Sequence, residues 1–206
     1  MKEITVCKGK TIRFNQREVF RLLDCREDSP IYQEMLASFQ EVQDELKDKI
    51  YPLAALTFGR MDEHTEVLFC ILTLGEEVDS YISTCFENGD YLKGMLADTM
   101  SVNSMSNFEP EVIEVIHQLC QKRKVGIKCR HEAPNDIPME MQRTAFDALD
   151  AGNSLQLKIT DGFMFQPLKS YCAIFELSKN ENDFFAEHNC ETCPNTSCKM
   201  RKSPPI

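Results

Sequence analysis

Between residues 29 and 74 the hydrophobic period of this chain changes once, and that change limits the fold more than any other feature. The stretch SPIYQEMLASFQEVQDELKDKI places Ile31, Met35, Phe39, Val42, Leu46 and Ile50 at three- and four-residue steps, the spacing of one face of an amphipathic helix. Ser29 stands where an N-cap belongs and Pro30 falls in the first turn. Directly afterwards, YPLAALTF and EVLFCILTL are short apolar runs on either side of GRMDEHT. They predict two paired strands at the heart of the fold, because a helix cannot be renewed over runs so short and so rich in β-forming residues.

The remaining segments fit around that pair. NQREVFRLLD offers Asn15 as a cap with Glu18 three residues on, the start of a shorter helix. Helical spacing returns in GEEVDSYISTCFENG and in DYLKGMLADTMSVNSMSNF, where Pro110 disfavours helix at Glu109 and is expected to end or kink the tract. EVIEVIHQLCQKRK resumes it, with basic residues in a last turn that suits them. A strand at VGIKCRHE, a helix at PMEMQRTAFDALDAG and strands at SLQLKIT and SYCAIFEL follow. This order fits an α+β fold better than regular βαβ alternation. A chain of 206 residues, 42% hydrophobic, holds one core or a core with a small satellite. We therefore divide it into a body, residues 1–178, and a Cys-rich C-terminal appendage, 179–206, entered through the polar KNENDFFAEHN.

Charge and cysteine content narrow the function. The 23 basic and 33 acidic residues leave a net charge of −10, a field that repels phosphate backbones and argues against nucleic-acid binding. The longest apolar run, VLFCILTL, falls well short of the roughly 20 residues that span a bilayer, so no membrane partner is expected. The opening MKEITVCKGK carries charge where a signal peptide needs an apolar run. The ten cysteines are thus expected to be reduced and the protein cytoplasmic. Cys7, Cys25, Cys70, Cys85, Cys120 and Cys172 are isolated within strands and helices, and most of them read as small buried hydrophobes. His64 and His117 read as structural or solvated, and Met95, Met100 and Met105 as gap-fillers more than as a binding face. Glu76 and Glu77 sit at a helix start that favours carboxylates. The residues supply no phosphate-binding glycine loop and no self-contained nucleophile–base pair, so none is assigned a catalytic role.

HNCETCPNTSCKMR, residues 188–201, stands out from this background. Cys190, Cys193 and Cys198 follow C-x2-C-x4-C, with His188 two residues before the first. Three thiolates close in sequence converge on one centre at little loop-closure cost, and soft donors suit zinc or iron–sulfur. Four protein ligands, His188 included, would suit tetrahedral zinc, and three thiolates with an exchangeable fourth position would suit a 4Fe-4S cluster. Lys199, Arg201 and Lys202 stand nearby to offset the thiolate charge. A redox-active Cys190/Cys193 pair and a tail of reduced thiols are the alternatives.

TLGEEVD, GDYLKGMLADTM, CRHEAPNDIPMEMQ, TDGFMFQPLKS and CETCPNTSCKMR, in that order, resemble the stand-alone relatives of the activation domain of cobalamin-dependent methionine synthase. The resemblance runs from about residue 15 to residue 201. It implies a curved antiparallel sheet with flanking helices that binds S-adenosylmethionine and docks on a cobalamin-carrying partner, so that oxidised cobalamin, once reduced, is remethylated. The family's cofactor signature is an arginine followed by a Pro-Gly-Tyr turn. Arg130, Pro134, Asp136, Pro138 and Gln142 match its surroundings, but the Gly-Tyr pair is missing. Thr160, Pro167, Lys169 and Ser170 match a later family segment. By resemblance, then, Arg130, Pro134, Thr160, Pro167, Lys169 and Ser170 are the cofactor contacts. The missing glycine and tyrosine remove a close backbone approach and an aromatic body with a polar tip. Two readings follow: an accessory protein that docks on a corrinoid-binding methyltransferase or corrinoid protein and supports its reductive reactivation, or a metal-bearing interaction module that has lost S-adenosylmethionine. Cobalamin would enter either only through a partner.

Overall fold

A computed structural model describes residues 3–10, 12–191 and 193–201. In chain order its elements are β1 (Thr5–Lys8), α1 (Gln16–Leu22), α2 (Tyr32–Leu46), β2 (Leu53–Arg60), β3 (Glu66–Thr73), α3 (Glu76–Glu87), α4 (Tyr91–Arg123), β4 (Gly126–His131), α5 (Glu140–Ala148), α6 (Ala151–Ser154), β5 (Lys158–Ile159), β6 (Phe165–Gln166) and β7 (Ser170–Ser178). The fold is α+β. Its main sheet is open, five-stranded and antiparallel throughout, in the order β1-β2-β3-β7-β4.

The two apolar runs pair as expected, β2 against β3, across a turn in which the Asp62 carboxylate accepts the backbone N–H groups of His64 and Thr65, each at 2.8 Å. Every residue of β3 after Glu66 is buried, which requires cover on both faces. On one face Leu56, Leu68, Cys70, Ala173 and Phe175 meet Phe108, Val112, Ile116 and Cys120 of α4. On the other, Ala55, Val67, Phe69, Ile71 and Ile174 meet Ala145, Leu149, Ala151 and Leu155 from α5, α6 and their flanks. A third core joins α1, α2 and α3 to the first half of α4, and the predicted α2 stripe enters it through Met35, Phe39, Val42, Leu46 and Ile50. Asn15 caps α1 as expected, its Oδ1 accepting the Glu18 N–H at 3.2 Å. Among the described residues no helix is long and apolar enough to cross a membrane.

The structure corrects several local expectations. Helix α2 begins two residues later than its capping signal, at Tyr32, because Ser29 instead closes a turn through its carbonyl, which accepts the Tyr32 N–H at 3.0 Å. Ile31 drops out of the stripe and is 49% exposed. Pro110 neither ends nor divides α4, which runs through it. A proline inside a helix costs about 3 kcal/mol, whereas burying Phe108, Val112 and Ile116 against the sheet contributes about 1.5–3 kcal/mol for each large side chain. SLQLKIT yields only the two residues of β5, paired with β6 outside the main sheet. Gln156 takes φ 57° and Leu157 turns back to bond the Ala151 carbonyl, so the run cannot extend. Strand β1, with four residues and two of them exposed, was not foreseen.

After β7 the chain turns back over Gly126. A side chain there would overlap the carbonyl oxygens of Asn180 and Asp183, so only glycine allows the pass. Ile127 then donates its N–H to Asp183 at 2.8 Å and accepts that of Phe185 at 3.0 Å. Phe184 and Ala186 join the core beneath α4. Replacing Phe39 by alanine should cost about 3–5 kcal/mol in urea melts, and Ile31→Ala less than about 1 kcal/mol. Equal costs would contradict the orientation of α2.

Candidate functional site

Pairing of β4 with β7 sets Arg130 opposite Phe175 and Cys129 opposite Glu176. Facing pairs share a side of the sheet, so Arg130 points under α4 with Phe175. Its side chain is only 7% exposed. The guanidinium is enclosed by Glu109 from α4, to which Nη1 donates, by Glu132 just past β4, whose Oε1 lies 2.6 Å from Nε, and by the rings of Tyr171 and Phe175, 5.8 and 5.9 Å from the guanidinium carbon. Nε is off the angle for a hydrogen bond to Glu132 and is a buried N–H without one. The Tyr171 hydroxyl donates to Glu109 at 3.0 Å. Burial works against the arginine's charge, but Glu109 and Glu132 outweigh it and hold the group firmly protonated. Burial, then the Glu109 charge, pushes the Tyr171 hydroxyl upward.

The other cofactor contacts implied by resemblance are engaged elsewhere. Lys169 pairs with Asp98 of α4 at 2.6 Å. Ser170 Oγ lies 2.8 Å from both Thr73 Oγ1 and the Pro167 carbonyl oxygen, and by strand alternation it lies on the sheet face opposite Arg130. Thr160 exchanges bonds with Met164 across the β5–β6 turn. Pro134 lies in the turn after β4. The set therefore does not form one cradle: it is split across the sheet, and its four polar members already have partners within the chain. As arranged here, these residues do not converge on one point.

The appendage folds back on the body. Arg201 donates to the carbonyls of Cys190, Cys193 and Asn195, the last two at 2.8 and 3.0 Å, and so ties the cysteine loop through its backbone. Lys199 pairs with Asp24 at 2.5 Å and bonds the Leu22 carbonyl, while Arg21 donates to the Lys199 carbonyl at 2.7 Å. These two cations thus hold the tail to itself and to α1, a role their placement beside the cysteines did not reveal. Lys202 lies outside the described residues. His188 pairs through Nδ1 with Glu132 Oε2 at 3.1 Å, and Ala186 accepts from Arg130 at 3.5 Å. Cys190, Cys193 and Cys198 are half-buried free thiols. Among the described residues they and His188 do not form a set with all donor atoms within 4.8 Å of one another.

Sequence reasoning missed Glu109, Glu132 and Tyr171, the partners that decide what Arg130 can do. The one signal available was a carboxylate at Glu109, beside the buried Phe108, and it was read only as the residue before a proline. No protein-family model and no curated protein matches the sequence. Among solved structures, the crystal structure of the MetH reactivation domain bound to AdoHcy matches with a TM-score of 0.61 and 12% identity, over 90% of this chain and 81% of that one. The chain has the reactivation-domain fold. The resemblance carried by the short sequence motifs is thereby matched over most of the backbone. At this identity the likeness is one of fold, and the arrangement around Arg130 is read from this chain alone. Because that arginine is enclosed, we expect S-adenosylmethionine to bind with a Kd between about tens of micromolar and about a millimolar, or roughly −7 to −4 kcal/mol. Calorimetry giving a sub-micromolar Kd would show that the Glu109–Arg130–Glu132 network opens for a ligand.

Proposed function

We propose that this protein is an accessory of cobalamin-dependent methyl transfer, which docks on a corrinoid-binding methyltransferase or corrinoid protein and supports its reductive reactivation. The observation that carries the reading is the fold, shared with the MetH reactivation domain over 90% of this chain and 81% of that one. Cobalamin belongs to the partner. In this reading residues 1–178 dock and residues 179–206 carry a metal centre on Cys190, Cys193 and Cys198, with His188 the nearest fourth ligand. Four protein ligands there would suit tetrahedral zinc, and three thiolates with an exchangeable fourth position would suit a four-iron cluster. An iron–sulfur cluster would pass an electron, supplied by an external reductant, toward the partner's cobalt.

The enclosure of Arg130 by Glu109 and Glu132 favours a second reading, a metal-bearing interaction module that keeps the fold without the methyl donor. The two differ in whether a corrinoid protein is bound. Anaerobic pull-downs with the native chain as bait should recover a corrinoid protein in at least one redox state of its cobalt. Recovery of none in any state would leave the interaction module. Cys193→Ser should remove iron or zinc from the tail and abolish reactivation of an oxidised corrinoid partner, while the melt of the body stays nearly unchanged because the segment from His188 onward buries little apolar surface. If the anaerobically prepared protein holds no near-stoichiometric metal and Cys193→Ser changes nothing, the tail centre is refuted.

A further inference from the structure

On the sheet face opposite Arg130, β4 and β7 bring together three donors to which the sequence reading gave no role. Cys129 and His131 alternate onto that face, and Glu176 is directly opposite Cys129 in the strand register. A register shift between Ile127 and Cys129, of the kind that re-aims side chains at sheet edges, precedes them. Cys129 Sγ lies 3.3 Å from His131 Nε2 and 3.4 Å from Glu176 Oε2, and His131 Nε2 lies 3.3 Å from Glu176 Oε2. The three atoms form a nearly equilateral triangle. Tetrahedral zinc, with bonds of about 2.0–2.3 Å to such donors, sets sulfur, nitrogen and oxygen ligands about 3.4–3.6 Å apart. Little movement separates the two arrangements.

The surroundings orient these atoms as a metal would need. The Asp136 carboxylate lies 2.5 Å from His131 Nδ1, which places the ring proton on Nδ1 and leaves the Nε2 lone pair facing Cys129 and Glu176. Lys128 holds Glu176 Oε1 at 2.6 Å, so Oε2 is the oxygen turned inward. Three lone-pair carriers then converge with a single thiol proton to share. His131 and Glu176 side chains are 18% and 20% exposed, sheltered yet open to an entering ion. Soft sulfur, imidazole and one carboxylate suit zinc better than magnesium or calcium, which take oxygen donors.

We propose that Cys129 Sγ, His131 Nε2 and Glu176 Oε2 bind zinc at this strand edge, with Asp136 orienting the imidazole and the fourth position open to water or an incoming donor. The order Cys129–His131–Asp136 also looks like a thiol nucleophile with its base. Glu176 argues against that role, since its carboxylate accepts the thiol proton and would face the thiolate. Burial and Glu176 push the Cys129 thiol up to about 11. The zinc proposal does not depend on the corrinoid reading or on the tail.

The test uses the full chain with Cys190, Cys193 and Cys198 all changed to serine, stripped by chelator and titrated with zinc(II), or with cobalt(II) for its thiolate absorption. One ion per chain should bind, and the cobalt form should show a tetrahedral, single-thiolate spectrum. Adding Cys129→Ser should abolish stoichiometric binding, and adding Asp136→Asn should weaken it 10–100-fold, as loss of a carboxylate behind a ligating histidine does. Circular dichroism confirms the fold of each variant, and Glu176→Gln replaces Cys129→Ser should the latter fail to fold. Absence of uptake by the tail-substituted chain would overturn the proposal, with an imidazolium between Asp136 and Glu176 then accounting for the geometry. So would an affinity unmoved by both the ligand and the Asp136 substitutions.

Discussion

The register between β4 and β7 sorts the chemistry of this protein. Past the shift that follows Ile127, β4 alternates with period two against β7, so each residue from Cys129 to His131 is sent to the face of the β7 residue opposite it. Arg130, opposite Phe175, goes under α4, whereas Cys129, opposite Glu176, goes to the other side. A slip of one residue would exchange the two sets, exposing an arginine to the wrong core and stranding a carboxylate beneath α4. The register is held from outside the pair as well: the returning chain bonds both polar groups of Ile127 and closes over Gly126, where no side chain fits. The edge strand β4 and the segment that follows β7 therefore place each other.

Beneath α4 the governing term is electrostatic. An arginine this deeply enclosed would cost several kcal/mol if unpaired, and the chain meets that cost with two carboxylates and two ring faces. The arrangement links three parts of the molecule, because Glu109 belongs to α4, Glu132 follows β4, and Ala186 and His188 belong to the segment leading to the cysteines. A change in the charge or position of Arg130 would reach the base of the tail through Glu132 and His188. The two carboxylates already balance the charge of Arg130 within the fold.

The appendage is held differently. Its contacts with α1 run through Lys199, Arg21 and Asp24, which are largely exposed and so worth little individually, and its loop is gathered by one arginine on backbone carbonyls. Such an attachment is loose compared with the buried sheet.

Features that depend on near neighbours in the chain were legible from the sequence. The stripe from Met35 to Ile50 follows from contacts three and four residues apart. The β2–β3 pair follows from alternation across one short turn, and the Asn15 cap from a side chain reaching three residues ahead. Where a distant partner decides, the same reading failed or fell silent. Pro110 stays inside α4 because Phe108, Val112 and Ile116 gain more against a sheet far away in sequence than the helix loses at one bond. The triangle of Cys129, His131 and Glu176, and the enclosure of Arg130 by Glu109, join residues up to 47 positions apart, and only strand pairing brings them within reach. The sequence by itself determined which residue types were available and the local periods that made helices and strands of them. The tertiary structure decided which of those residues face one another, because side-chain chemistry acts over a few ångströms and the chain between the partners carries no record of that distance.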